Sequence, residues 1–439
     1  MGWPRTRRTS SCLNRYDTEP LGSPHFPEAP SGAFCVSIGS ALLALILLAL
    51  LTAPVALHAQ ASDAVFLPDT VLRAAGVPRV LILRANPGGV AALRLSVPLL
   101  ERPAEAGVGR MLAALSERRM EGPAREIGAR VSAQRTPWGL TYSVEGAAAD
   151  IEHLAYLLRL AVEEPAPELS TLERLRAELI LDLDRRAESP GDRLLADLRR
   201  AAAPDLPSLA GSHVSLRRLE TSLMRAVWRR SHRTSSMSLV AMTSVDPTVL
   251  LAMLQAPGLP AEDVAPPFDA ADPGDPPAGP PPLRNWYGEA RVDPSLGDPH
   301  AAVAALLMSQ HVADAGPGVE VGVRLWELRD RTLLVVAGAA LGRRATATLN
   351  AVVQAAVPDV LLALDPLMVR EAVARVELVY RTRASTPGGL VEAVGRGVDG
   401  TGRASGASDY LAALARVTAA SLTDYLNRLG APVVVEIVP

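Results

Sequence analysis

Few side chains in this sequence could do chemistry. Past residue 61 there are five histidines, His153, His213, His232, His300 and His311, and neither cysteine nor lysine; all 44 basic residues are arginine. No two of these histidines lie within five residues of each other. None therefore has the i, i+4 partner through which a helix presents two imidazoles to one Zn²⁺. The absence of lysine excludes Schiff-base and lysine-activated chemistry. Cys12 and Cys35 both lie near the N-terminus, so the body has no cysteine for a metal site or a disulfide framework. No G-x-S-x-G elbow occurs, and Ser405–Ser408 reads as a glycine-rich turn. Gly316, Gly318 and Gly322 lack the spacing and the following lysine of a phosphate loop. The histidines read as structural or solvated. His153 sits beside Glu152 on a polar helix position, and His213 and His232 lie near helix ends rich in Arg and Ser that suit a surface role. His311 with Asp314 makes a weak pair on a helix face.

The elements that would position any site follow from the pattern of apolar residues. The chain has 439 residues, 49% hydrophobic and 21% charged, with a net charge of −3. That is length for about two to three domains and composition for globular ones. Near-neutral charge removes the bulk electrostatic case for nucleic acid. From Ala29 to Ser62 there is no charged residue, and Ala41–Leu57 is almost pure Ala, Leu, Ile and Val. Arg5, Arg7, Arg8 and Arg15 precede this run, Pro54 breaks it, and Ala59-Gln60-Ala61 follows as a small-x-small site. This is the order of a secretory signal, so residues 1–61 are expected to be cleaved on export to the periplasm or beyond. The rival is an uncleaved inner-membrane anchor through residues 33–57, which is long enough to span.

Two similar halves follow. Ten prolines fall between Pro257 and Pro282, a stretch that cannot lie inside helix or sheet and reads as a linker over 257–283. Before it, Ile151, Leu154, Leu157, Leu158 and Ala161 recur at helical spacing, and Leu172–Ala187 forms a second helix ending before Pro190. A further helix leads to a strand over Ser238–Met242. After the linker, Leu349, Val352, Val353, Ala356 and Val357 make a helix, and Leu367–Tyr380 another that ends before Pro387. A last helix leads to a strand over Pro432–Val438. Val80–Leu83, Ala91–Val97 and Thr141–Val144 read as strands of the first half. One order repeated at one offset predicts a duplicated domain over 62–256 and 284–439. The fold class expected is α+β, with long helices on an antiparallel-rich sheet, twice over.

At this point the residues match a known pattern. Ala85-Asn86-Pro87-Gly88 before a strand, then Glu105-Ala106-Gly107-Val108-Gly109-Arg110 opening a helix, resembles the pitrilysin/insulinase family of zinc peptidases. Mitochondrial processing peptidase belongs to that family. The likeness continues through Leu172–Pro190, Asp205–Gly211 and Val245-Asp246-Pro247, and through Pro387-Gly388 to the terminal strand. It implies two tandem homologous domains of the LuxS/MPP-like metallohydrolase type. It also implies an inverted zinc motif, H-x-x-E-H, on the first helix. Carried across from Gly107, the first histidine position is Arg110, the glutamate is Ala113 and the second histidine is Ala114. The family's third ligand, counted back from Pro190, falls at Leu181, with Asp182 beside it. A guanidinium cannot ligate a cation and two alanines supply neither base nor ligand. No catalytic residue, no metal ligand and no zinc are therefore expected. The resemblance further implies an arginine and a tyrosine from the second half that hold the substrate backbone. Arg324, Arg329 and Arg331 are candidates for the arginine, and no tyrosine lies between Tyr287 and Tyr380.

The resulting expectation is an exported, bacterial, non-catalytic subunit. It would complete a peptide chamber with a partner of similar size that carries H-x-x-E-H, acting on unfolded or extended peptides. The alternative is an enzyme-independent peptide-binding scaffold that forms a self-dimer.

Overall fold

The computed structural model describes residues 63–73, 78–83, 89–254 and 281–439. The expected signal over 1–61, the Ala85-Asn86-Pro87-Gly88 turn and nearly all of the Pro257–Pro282 linker lie outside the described residues. The first half runs β1 (Thr70–Leu72), β2 (Arg79–Leu83), β3 (Val90–Pro98), α1 (Val108–Glu126), β4 (Arg130–Arg135), β5 (Gly139–Ala147), α2 (Ile151–Val162) and α3 (Leu169–Glu188). It continues with α4 (Pro190–Ala202), α5 (His213–Arg217), α6 (Thr221–Ser231), β6 (Ser238–Met242) and α7 (Pro247–Leu254). The second half runs β7 (Asn285–Asp293), α8 (Pro299–Val312), β8 (Val319–Glu327), β9 (Thr332–Ala340) and α9 (Arg343–Ala363). It ends with α10 (Pro366–Arg383), α11 (Pro387–Thr401), α12 (Gly406–Leu414), α13 (Ala419–Arg428) and β10 (Val433–Ile437).

The duplication is visible in strand order. The first sheet is ordered β1-β2-β6-β3-β5-β4 and the second β10-β7-β9-β8. Removing β1 and β2 leaves β6-β3-β5-β4, which matches the second sheet strand for strand. Every pairing is antiparallel except β2 with β6. The breaks after the long helices match as well. Ser189 caps α4 and accepts from the Asp192 amide at 3.3 Å, and Thr386 caps α11 and accepts from the Gly389 amide at 3.1 Å. Each cap is followed by a proline at the first helical position, where its missing N–H costs nothing.

Each sheet has one face covered by its own half and the other covered by a helix of the opposite half. On β3, Ala91, Leu93, Leu95 and Val97 pack with α1 and α2, because successive side chains alternate faces. The opposite face, with Leu81, Leu83, Ala92, Val240 and Met242, packs with Leu390, Val391, Val394 and Val398 of α11. Reciprocally, Leu194, Leu198 and Ala202 form one stripe of α4 at i, i+4, i+8 spacing. They pack on Ala290, Leu333 and Val335 of the second sheet. Burying each such leucine stabilises by about 1.5–3 kcal/mol. Gly395 on α11 is required by this docking, because a Cβ there would lie 2.3 Å from a guanidinium nitrogen of Arg94.

Arg94 is the exception on the β3 face. It is 1% exposed and points at α11, where its Nε binds Glu392 at 2.7 Å and Nη2 binds Asp399 at 2.8 Å. Ser96 accepts from Nη1 at 2.5 Å and Thr141 from Nη2 at 3.3 Å. Burial alone would lower the Arg94 pKa, but the two carboxylates raise it above its usual value.

Candidate functional site

The first turn of α1 is held in place by buried polar contacts. Gly107, just ahead of it, has φ of 91°, and a Cβ there would lie 2.9 Å from Leu216 and 3.0 Å from the Gly211 backbone. Only glycine fits both the conformation and the close approach. The Glu101 carboxylate is fully buried, accepting from the Gly109 amide at 2.7 Å and from Arg135 Nε at 2.9 Å. A carboxylate at a helix N-terminus satisfies orphan N–H groups and complements the helix dipole. Glu105 pairs with Arg230 at 2.6 Å and accepts from the Arg102 amide at 2.9 Å.

Behind this first turn α1 lies beside α3, and the two helices are joined by charge. Arg110 forms an ion pair with Asp182, which also binds Arg186 at 3.0 Å. Further along, Arg118 pairs with Glu178. Burial pushes the Arg110 guanidinium below its usual value; Asp182 opposes this and Arg186 adds to it. Ala113 is buried at 4% exposure and Ala114 is packed against the same core. Leu181 is 48% exposed, and the α3 residue that meets α1 is its neighbour Asp182.

The histidines stand apart from this crossing. His153 is exposed, and His213 pairs with Asp184 at 2.7 Å. His232 departs from the surface role expected of it. It is 1% exposed, with Nε2 3.1 Å from the Tyr142 hydroxyl, Nδ1 2.9 Å from Ser231 Oγ, and its ring stacked on Trp228. Burial lowers its pKa to about 3, so the ring is neutral and takes no part in proton exchange with solvent. Helix-end position masked this, since α6 turns its last residues into the core. His311 pairs with Asp359 at 3.0 Å rather than with Asp314. His300 joins Asp298 at 2.6 Å and Ser421 Oγ at 3.0 Å, the order of a nucleophilic triad. Ser421 Oγ, however, accepts from the Thr418 amide at 2.9 Å and donates to the Thr418 carbonyl at 3.1 Å. It is a helix cap.

The candidate backbone contacts from the second half separate. Arg324 is exposed on β8, the edge strand of its sheet, and Arg331 is engaged by Asp205 at 2.8 Å and by Asp330 at 2.8 Å. Arg329, in the β8–β9 turn, lines a cleft of about 280 Å³. Its other walls are Val97, Pro98 and the β4–β5 turn of the first half, together with Asp399 and Gly400 at the end of α11. Sequence alone does not single out this cleft, because its walls come from four separate stretches of chain.

No protein-family profile and no curated protein matches the sequence. Solved structures do. A protease from Helicobacter pylori superposes with a TM-score of 0.70 at 11% identity, over 85% of this chain and 100% of that one. The peptidase M16 inactive domain from Pseudomonas fluorescens gives 0.69 at 12% identity, over 84% and 97%. It has the M16 peptidase fold. A third M16-like structure, from Alicyclobacillus acidocaldarius, gives 0.67 at 15% identity, over 84% and 98%. The M16 architecture accounts for the doubled strand order and for the long helices on each sheet.

The zinc that the resemblance implies does not fit the residues present. Arg110, where the resemblance puts the first ligand, is a cation, and its side chain is paired with Asp182. Ala113 and Ala114 have no donor atoms. Among the described residues no three His, Cys, Asp or Glu side chains converge as metal ligands. What the M16 crossing of α1 and α3 can do here is bind helix to helix through a salt bridge.

Proposed function

We propose that this chain is a non-catalytic M16-type subunit, exported from the cytoplasm, that closes a peptide-binding chamber with an active zinc peptidase of similar size. One observation carries the reading. Where the resemblance calls for a metal between α1 and α3, the chain has an arginine on one helix paired with an aspartate on the other. A cation built into the protein occupies the place of an exchangeable one. The likeness to an M16 structure described as an inactive domain agrees with this. Edge strands β4 and β8 leave backbone groups for an extended peptide to pair with. Export rests on the charge-free run and the Ala59-Gln60-Ala61 site.

The test is co-expression with a similar-sized chain bearing H-x-x-E-H, followed by sizing and a peptide-cleavage assay. A stable one-to-one complex, burying upwards of about 2,000 Å², should cut peptides only when both chains are present. A partner that cuts equally well alone, with unchanged substrate choice, overturns the reading. If this chain then pairs only with itself, the scaffold role takes its place. In exported material, N-terminal sequencing should begin close to Ser62.

A further inference from the structure

The 280 Å³ cleft between the halves holds two unmatched groups that point to a ligand. The first is the Trp138 indole N–H, which is buried with no hydrogen-bond partner in a residue that lines the cleft. Buried donors are almost always paired, so an orphan beside a cavity marks a place for an acceptor. The second is Arg329, an exposed residue of the same lining that is in no ion pair. Asp330, next in sequence to Arg329, is held by Arg331 at 2.8 Å, and the one other charged residue of the lining is Asp399. Asp399 and Glu392 are matched by Arg94 at 2.8 and 2.7 Å, and Glu392 also by Arg396 at 2.8 Å. The charge left over is the single guanidinium, which suits a monoanion. Its planar fork matches a carboxylate. Pro98, which is exposed, and the half-buried Trp138 ring supply apolar surface, whereas the side chains of Val97 and Leu140 are buried in the core of the first half.

We infer that this cleft binds the free C-terminal residue of a peptide. The carboxylate lies on Arg329, a ligand oxygen accepts from the Trp138 N–H, and the last side chain lies against Pro98 and the Trp138 ring. The inference rests on the peptide-binding reading above and specifies which end of the peptide is read. It also sets a direction for the chamber, because a terminus held at the junction of the halves fixes where the rest of the chain can run.

The experiment is calorimetric titration of the purified chain with two unstructured peptides, identical and leucine-terminated, one a free acid and the other an amide. N-acetyl-leucine and its amide serve as small probes of the cleft itself. The acid forms should bind at least about tenfold more tightly than the amides. Arg329→Gln, a surface change, should erase that ratio. Trp138→Phe, which keeps a ring but removes the N–H, should weaken acid binding about tenfold. Equal binding of acid and amide peptides overturns the C-terminal site and leaves the peptide chamber standing. Failure of both peptides, with N-acetyl-leucine still discriminated from its amide by Arg329, supports the cleft and tells against the chamber. A ratio that survives Arg329→Gln, or acid binding unchanged in Trp138→Phe, overturns the assignment.

Discussion

Among the arginines of the first half that meet carboxylates, Arg94 and Arg110 have sharply different settings. Arg94 is 1% exposed and has every side of its guanidinium engaged by Glu392, Asp399, Ser96 and Thr141, the two carboxylates coming from the other half. Arg110 is 21% exposed, its partner Asp182 is 35% exposed, and one of its guanidinium nitrogens has no partner. The first is a buried ion cluster at the junction of the two sheets, open to solvent only at Glu392, whose side chain is 37% exposed. The second is an outward-facing clamp where the family resemblance places a metal. Burial alone does not decide charge. His232 is as enclosed as Arg94 but has only neutral neighbours, and it loses its charge where Arg94 keeps it.

The comparison can be broken at three points, from the largest effect to the smallest. Arg94→Ala leaves Asp399, whose side chain is 7% exposed, as a buried anion without its cation. Unfolding free energy by urea titration should fall by about 3–5 kcal/mol. A loss below about 1 kcal/mol would mean that water reaches the cluster and that the enclosure is not real.

His232 supplies the middle effect. Its folded pKa is depressed to about 3 from an ordinary value of 6.5. In the unfolded chain it takes up a proton as pH falls below about 6.5, whereas in the fold it refuses one until about 3. Its contribution is therefore complete above pH 6.5 and is lost as pH falls through that window. The slope from one such group approaches about 1.4 kcal/mol per pH unit. Urea midpoints measured from pH 6.5 to 5 should follow that slope in the parent chain and flatten in His232→Asn. An unchanged slope in the variant would place the proton elsewhere.

Arg110→Met should matter least. A half-exposed pair contributes about 0–1 kcal/mol, and the variant also removes the unpartnered nitrogen. Thermal unfolding should move little. A loss above about 2 kcal/mol would make the clamp a core element and erase the contrast with Arg94.

Much of the architecture was legible in the sequence, and the physical reason is periodicity. The strand over Ser238–Met242 matches β6 residue for residue, and the helices ending before Pro190 and Pro387 match α3 and α10 to within three residues at either end. Pro190 and Pro387 each sit at the first position of the next helix behind a Ser or Thr cap, a start signal readable in sequence, whereas Pro123 and Pro358 lie inside helices. β9, with Leu333, Leu334, Val335 and Val336 all buried, is apolar on both faces and cannot be told from a helix by periodicity. The partner of each surface is harder to read. The stripe Leu194–Leu198–Ala202 announces a buried face but not that the opposite half covers it. Arg94 and Ser96 occupy the polar positions of an alternating strand, which in isolation reads as a solvent face. At the site, Arg110, Ala113 and Ala114 could be placed by spacing from Gly107. Asp182 came only as the neighbour of Leu181, because a count along a helix has no means of detecting a one-residue offset.

The exchange of α4 and α11 between the sheets bears on how the chain can assemble. Arg94 and Asp399 are 305 residues apart in sequence, yet one cannot be enclosed without the other. Neither sheet can finish its second face until the opposite half has been synthesised and its helix delivered. Contacts so distant along the chain carry a high loop-closure cost and slow the search for the native state. Until α11 docks, Leu81, Leu83, Ala92, Val240 and Met242 have no cover, so the newly made first half presents an adhesive apolar face for as long as translation of the second half takes.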